Sequence, residues 1–130
     1  MIVDTSAVLA ILFEEPDAEH YRKTIAGAER CLMSAASFLE TAIVLEGRTG
    51  IAGGLELDLL VERALIQLVA VTSDHAQAAR RAWRQFGKGN HPAALNFGDC
   101  FAYALAKETR EPLLFKGRDF TLTDVEAVHH

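Results

Sequence analysis

Cysteine, basic charge and long apolar runs are all scarce in this chain. Of its 130 residues only Cys31 and Cys100 are cysteine. Each sits in an apolar stretch (RCLMSAA and DCFAYALA) without CxxC spacing, which argues against a zinc site or a disulfide framework and fits a reducing cytoplasm. No uninterrupted apolar run approaches the roughly 20 residues that span a bilayer. The opening MIVDTS lacks the basic stretch of an export signal, so a soluble, unexported protein is expected. There is no internal repeat, linker or low-complexity segment. Thirteen Lys and Arg face eighteen Asp and Glu, for a net charge of -5, and at first sight that imbalance argues against a polyanionic partner. The closing pair, His129 and His130, is either native or tag-derived and carries no weight in the fold reading.

Hydrophobic residues, at 50% of the chain, are what is plentiful. That content in a chain of this length supports one compact core and excludes intrinsic disorder. Met-Ile-Val ending at Asp4 reads as a short buried strand that feeds a helix over Thr5 to Phe13. Glu14-Glu15-Pro16-Asp17 breaks the chain and restarts a helix toward Gly27, with the proline at an early helical position. Further strands are expected at Cys31 to Met33, Leu68 to Val71 and Leu113 to Phe115, with a short fifth at Val125 to Val128. Between them fall a helix from Ser34, a Gly-rich interruption over Gly47 to Gly54, and a helix from Leu55 to Gln67. Thr72-Ser73-Asp74 supplies start signals for a helix over Ala76 to Phe86, Gly87 to Pro92 is a loop, and Asn96 opens a helix through Lys107. Short apolar strands alternating with helices predict a single α/β domain over 1–128, with a parallel sheet covered on both faces.

Four of the eighteen acids occupy positions where a merely solvated acid is not expected. Asp4 ends a buried strand, Asp99 lies near a helix start, and Asp119 follows the fourth strand. Glu40 lies mid-helix with Ala36, Ile43 and Val44 on its face. Carboxylates converging in a buried setting call for a hard cation with oxygen ligands. In an open parallel sheet, strand ends and the following helix starts line one crevice. A carboxylate cluster holding Mg²⁺ or Mn²⁺ is the usual equipment for phosphodiester hydrolysis, in which the ion acidifies a water and offsets charge on the phosphate. Each acid also has a plainer reading. Asp4 fits a cap for the helix at Thr5, Asp99 fits the third residue of a capping box begun by Asn96, Asp119 fits a turn, and Glu40 fits the wet edge of an apolar stripe.

The runs MIVDTSAVLAILFEEPDAE, SAASFLETAIVLEGR, GKGNHPAALNFGDCFAYALA and LLFKGRDFTLTDV, in that order, resemble the PIN-domain ribonucleases and specifically the VapC-type toxins of bacterial toxin-antitoxin pairs. The resemblance spans nearly the whole chain, and LNFGDCFAYALA followed by LLFKGxDF is its most specific part. It implies a three-layer α/β/α domain with a central parallel sheet of four to five short strands. It also implies an endoribonuclease dependent on Mg²⁺ or Mn²⁺, neutralised by a VapB-type antitoxin and dimeric. The family's four acids fall on Asp4, Glu40, Asp99 and Asp119, with Asp4 and Asp99 as the direct metal ligands and Glu40 and Asp119 completing the pocket. Thr5 or Ser6 is placed to hydrogen-bond a carboxylate or a metal-bound water, or is an ordinary helix-start hydroxyl. Arg118 departs from the small polar or acidic residue common before the fourth acid, and would either contact substrate phosphate or pair with Asp119. Asp124 also matches the pattern, with a cap or turn as its expected role.

Substrate contacts are expected from local cations. Lys116 and Arg118 are candidates, as are Arg80, Arg81, Arg84 and Lys88, although the three arginines also read as a solvated helix face. His91 reads as an exposed loop residue. Trp83 and Phe86 are expected in the core, though aromatic residues can stack bases. Ile43, Val44 and Leu60 suit either core or a dimer interface. A receiver domain would need paired acids after its first strand and a late Lys-Pro, where this chain has Asp4 alone and Glu111-Pro112. A haloacid-dehalogenase-like phosphatase would need an acid at Ser6. A stand-alone PIN nuclease of RNA maturation and a catalytically silent PIN-like binding module are the remaining alternatives. With four acids assigned to one pocket, the rest of the chain is close to neutral, and the acidic balance no longer argues against RNA.

Overall fold

A computed structural model describes residues 1–128, and His129 and His130 lie outside the described residues. The elements run β1 (Ile2–Val3), α1 (Thr5–Leu12), α2 (Ala18–Gly27), β2 (Cys31–Ser34), α3 (Ala35–Thr49), α4 (Ile51–Arg63), β3 (Ile66–Val69), α5 (Ser73–Phe86), α6 (Phe97–Thr109), β4 (Leu113–Leu114) and a 3-10 helix at Asp119–Leu122. The strands pair in the order β3-β2-β1-β4, and every pair is parallel. Successive strand residues point to opposite faces, so the sheet separates two cores. Ile2, Leu32 and Leu113 pack under α5 and α6 with Phe86, Tyr103 and Leu105. Val3, Met33 and Leu114 pack under α1 to α4 with Val8, Ile25, Leu45 and Leu57. The result is a three-layer α/β/α domain. Among the described residues no helix is long and apolar enough to cross a membrane.

Several elements differ from the sequence expectation for identifiable reasons. The Gly-rich stretch is not an interruption: α3 continues through Gly47, and the break is confined to Gly50, whose φ of 75° suits a residue without a Cβ. Gly53 lies inside α4 because a Cβ there would come within 2.0 Å of Thr49 Oγ1 and 3.1 Å of the Leu45 carbonyl oxygen. Glycine thus permits close α3–α4 packing instead of marking a loop. Pro16 lies in the turn ahead of the Asp17 cap, not inside α2. The third strand begins earlier, at Ile66, and the chain leaves the sheet after Val69. As an edge strand it exposes Gln67 and Leu68, so its pattern is not continuously apolar. Val125 to Val128 form no sheet strand, only an isolated parallel bridge between Leu113 and Ala127. Phe86 is buried as expected, but Trp83 is 47% exposed and outside the core.

Candidate active site

Asp4 follows β1 directly and its carboxylate caps α1, where Oδ2 accepts the Ser6 N–H at 3.0 Å and the Ser6 hydroxyl at 2.6 Å. The capping role and the pocket role therefore coexist in one residue that is only 4% exposed. Ser6 Oγ in turn accepts the Lys116 N–H at 2.9 Å. Since the Asp4 N–H also donates to Leu114 O at 3.0 Å, the ends of β1 and β4 and the start of α1 are laced together around this carboxylate. Burial pushes the Asp4 carboxyl above its ordinary value, the Ser6 hydrogen bonds oppose that, and the charge of Glu40 adds to it.

Asp99 is the third residue of α6 and closes a capping box with Asn96: Asp99 N–H donates to Asn96 Oδ1 at 2.9 Å, and Asn96 N–H donates to Asp99 Oδ2 at 3.0 Å. Its carboxyl is nonetheless pushed up to about 7, first by burial and then by the negative charges of Asp4, Asp119 and Glu40, against the lowering effect of the Asn96 bond. All four acids share one electrostatic neighbourhood. Cys100, buried beside Asp99, is raised to about 11 by burial and by that carboxylate, and is an inert thiol at neutral pH.

Glu40 reaches the same space from α3, and its carboxylate lies against the backbone of Gly98, where a Cβ would come within 2.1 Å of Oε2. Gly98 was not legible as a site residue; its only sequence signal is a glycine at a helix start immediately before a candidate acid. Asp119 is exposed on the 3-10 helix, which is anchored by buried Phe120 at 5.2 Å between ring centroids from Phe115.

The two hydroxyls after Asp4 have separate placements. Ser6 serves the Asp4 carboxylate. Thr5 is buried, donates to Ser37 O at 3.0 Å and accepts from Thr41 Oγ1 at 3.1 Å. It thereby ties α1 to α3, and Asp4 to the helix that carries Glu40. Ser37 Oγ is buried without a hydrogen-bond partner among the described residues.

The cations divide similarly. Lys116 Nζ lies 3.0 Å from both Glu15 Oε1 and Asp17 Oδ1, so its charge is committed to the α1–α2 turn. Arg118 is exposed and forms no ion pair with Asp119 among the described residues. Asp124 accepts from the Tyr103 hydroxyl and from Lys107 Nζ, the latter at 3.2 Å. It pins the C-terminal segment to α6 by tertiary contacts, where a cap or turn was expected.

As the side chains stand, no three His, Cys, Asp or Glu groups among the described residues are gathered tightly enough to chelate an ion. The donor set nevertheless fits a hard cation. It is all oxygen, and among the described residues none of the four acids is ion-paired with a lysine or arginine. Mg²⁺ characteristically takes only one or two carboxylates and keeps several waters.

The PIN domain family matches residues 1–126. The chain belongs to the PIN-domain family. A ribonuclease VapC of Mycolicibacterium smegmatis is 59% identical to this PIN domain over 129 residues, covering 99% of this chain and 100% of the relative. Among solved structures, the sarcin-ricin loop cleaving toxin VapC20 of Mycobacterium tuberculosis superimposes with a TM-score of 0.80 at 17% identity, covering 99% of this chain and 98% of that one. A chain of a toxin-antitoxin complex from Klebsiella pneumoniae gives 0.74 at 13% identity, covering 98% and 95%. At such identities these structures speak to the PIN fold alone.

Proposed function

We propose that this PIN-domain protein is a VapC-type toxin: an endoribonuclease that hydrolyses RNA phosphodiester bonds with Mg²⁺ or Mn²⁺, acts in the cytoplasm and is neutralised by a VapB-type antitoxin. The observation that carries this reading is that Asp4, Glu40 and Asp119 come from three other segments yet all bear on the carboxyl of Asp99 at the start of α6, with Glu40 bearing on Asp4 as well. Asp4, buried, and Asp99, half-buried, would hold the ion. Glu40 and Asp119 would orient water or hold a second ion. A divalent ion bound there supplies acidity to the attacking water and offsets charge on the phosphate. Hydrolysis forms a bond from water oxygen to phosphorus and breaks the bond to the departing ribose oxygen. Glu40, whose carboxylate lies against Gly98, would take the water proton. Ser6 orients Asp4 through its two hydrogen bonds and favours its charged form against the effect of burial.

The test is incubation of the purified, partner-free protein with total RNA and Mg²⁺ or Mn²⁺. Cleavage is expected, and is expected to be lost with chelator and with Asp4→Asn. Cleavage that survives both refutes the reading. Toxicity on expression should be relieved by Asp99→Asn and not by Asp74→Asn, which lies on the exposed start of α5. A homodimer belongs to the same proposal. Ile43, 63% exposed on α3, and neighbouring Leu39 give an unpaired apolar face, and Ile43→Lys should leave a monomer by sedimentation.

A further inference from the structure

Helix α5 and the first turns of α6 leave between them an open groove of about 430 Å³ lined by Ala79, Arg80, Trp83, Phe97, Cys100 and Phe101. It contains three aromatic rings, a cation and no acid. Phe97 is 81% exposed and stands edge-on to Phe101 at 4.9 Å between ring centroids. Phe97 and Phe101 also line the neighbouring cavity that holds Glu40 and Gly98, so this end of the groove borders the space where Glu40 meets the start of α6. Trp83, the chain's one tryptophan, is held ready at the other wall. Its indole Cδ1 lies where a Cβ on Gly87 would come within 2.4 Å, and its carbonyl accepts the Gly87 N–H at 2.8 Å and Asn90 Nδ2 at 3.2 Å. Arg80 lines the groove with Trp83 and Arg84 follows it one helical turn along α5, both exposed and with no ion pair among the described residues.

Exposed rings stack nucleobases of any sequence, and unpaired arginines track a phosphate backbone. Among the described residues the groove's one charged lining residue is Arg80, which a polyanion complements. The neighbouring α3–α6 cavity is lined by Leu39 and Ile43 as well, so the homodimer face borders the groove at that end, while Arg80 and Trp83 stand at the other wall. We propose that the α5–α6 groove is the track along which single-stranded RNA reaches the acid pocket, with Trp83 and Phe97 as stacking platforms and Arg80 and Arg84 as phosphate contacts. The proposal rests on the ribonuclease reading and adds the path of the strand.

The test uses the full chain in chelator with a short single-stranded oligoribonucleotide of mixed sequence, read by Trp83 emission. Saturable quenching is expected. With labelled RNA and anisotropy, Trp83→Leu, which keeps apolar bulk but not the π-face, should bind about tenfold more weakly, while Trp83→Phe stays near wild type. Arg80→Ala should shallow the salt dependence by about 0.7 in log–log slope. With Mg²⁺, these losses should enter KM and leave kcat in place. RNA that binds without quenching, or Trp83→Leu that binds like wild type, overturns the track while leaving the ribonuclease reading intact. Emission that shifts with protein concentration alone and blocks the RNA response assigns the groove to a second copy and overturns it as well. Quenching by RNA without any cleavage in Mg²⁺ supports the track and removes the ribonuclease reading instead.

Discussion

Replacing Gly98 by alanine separates the stability of this fold from its chemistry. A Cβ at Gly98 would lie 2.1 Å from Glu40 Oε2, 2.5 Å from Cδ and 2.6 Å from Oε1. Ordinary contact begins near 3.4 Å, so the carboxylate must retreat by about 1.3 Å. Glu40 can make that move cheaply, because only the end of a flexible side chain is displaced and the Gly98 backbone is helical. Alanine is also the better helix former by about 0.5–1 kcal/mol. Gly98→Ala is therefore expected to hold or raise Tm, by up to about 5 °C. A displacement of about 1 Å at a reacting centre can cost on the order of a hundredfold, so kcat for RNA cleavage should fall by roughly that factor. Gly47→Ala is the control, since nothing lies within 4 Å of its Cβ position; it should gain stability and keep full activity. The assay is initial rates on RNA in Mg²⁺ together with thermal melts of the three proteins. Gly98→Ala cleaving at the wild-type rate with an unchanged melt would refute the reasoning, for it would mean that Glu40 need not occupy that place. A large drop in Tm would refute the packing half of it.

The raised carboxyl of Asp99 makes stability depend on pH. The folded chain holds this proton more tightly than the unfolded chain, so stability is highest below about pH 4 as far as this group is concerned, falls as pH rises toward 7, and stays reduced above it. In chelator at pH 8, Asp99→Asn should therefore melt higher than wild type, by about 1–2 kcal/mol after allowance for solvent screening, and a lower melt contradicts the repulsion. Adding Mg²⁺ should raise the wild-type melt and leave Asp4→Asn unmoved, which is a binding readout independent of turnover. Ser6→Ala removes the hydroxyl between Asp4 and the Lys116 N–H, and should lower activity about 10–100-fold; equal rates would show that Asp4 needs no second support. Thr5→Val loses a buried hydrogen bond to α3 and should cost about 1 kcal/mol in chemical denaturation, with a smaller effect on rate than Ser6→Ala.

How much of this was legible in the chain depends on whether a residue's reason is local or distant. Asn96 and Asp99 announce their helix start by spacing alone, and Asp4 is the first polar residue after Ile2 and Val3, so those elements and two of the acids could be placed from the sequence. Apart from Pro16, whose turn is local, the misread positions owe their form to partners remote in sequence or to the edge of the sheet. Gly53 reads as a helix breaker until Leu45 and Thr49 are set against it. Ile66 to Val69 reads poorly as a strand because it borders solvent instead of being sandwiched. Trp83 has core spacing along α5, yet it stands at the groove, and the core positions of that helix are taken by Ala78, Ala79, Ala82 and Phe86. The same distinction runs through the site. Capping geometry explains one oxygen of Asp4 and one of Asp99, so a carboxylate's local duty does not exclude a shared one. The shared duty becomes visible only when Glu40 crosses from α3 onto Gly98 and the charges of the other three acids register on Asp99. A pocket built from four segments leaves no contiguous motif. Its clearest sequence trace is an acid or glycine where a strand or helix begins or ends, as at Asp4, Gly98 and Asp99, and Glu40, inside α3, leaves none.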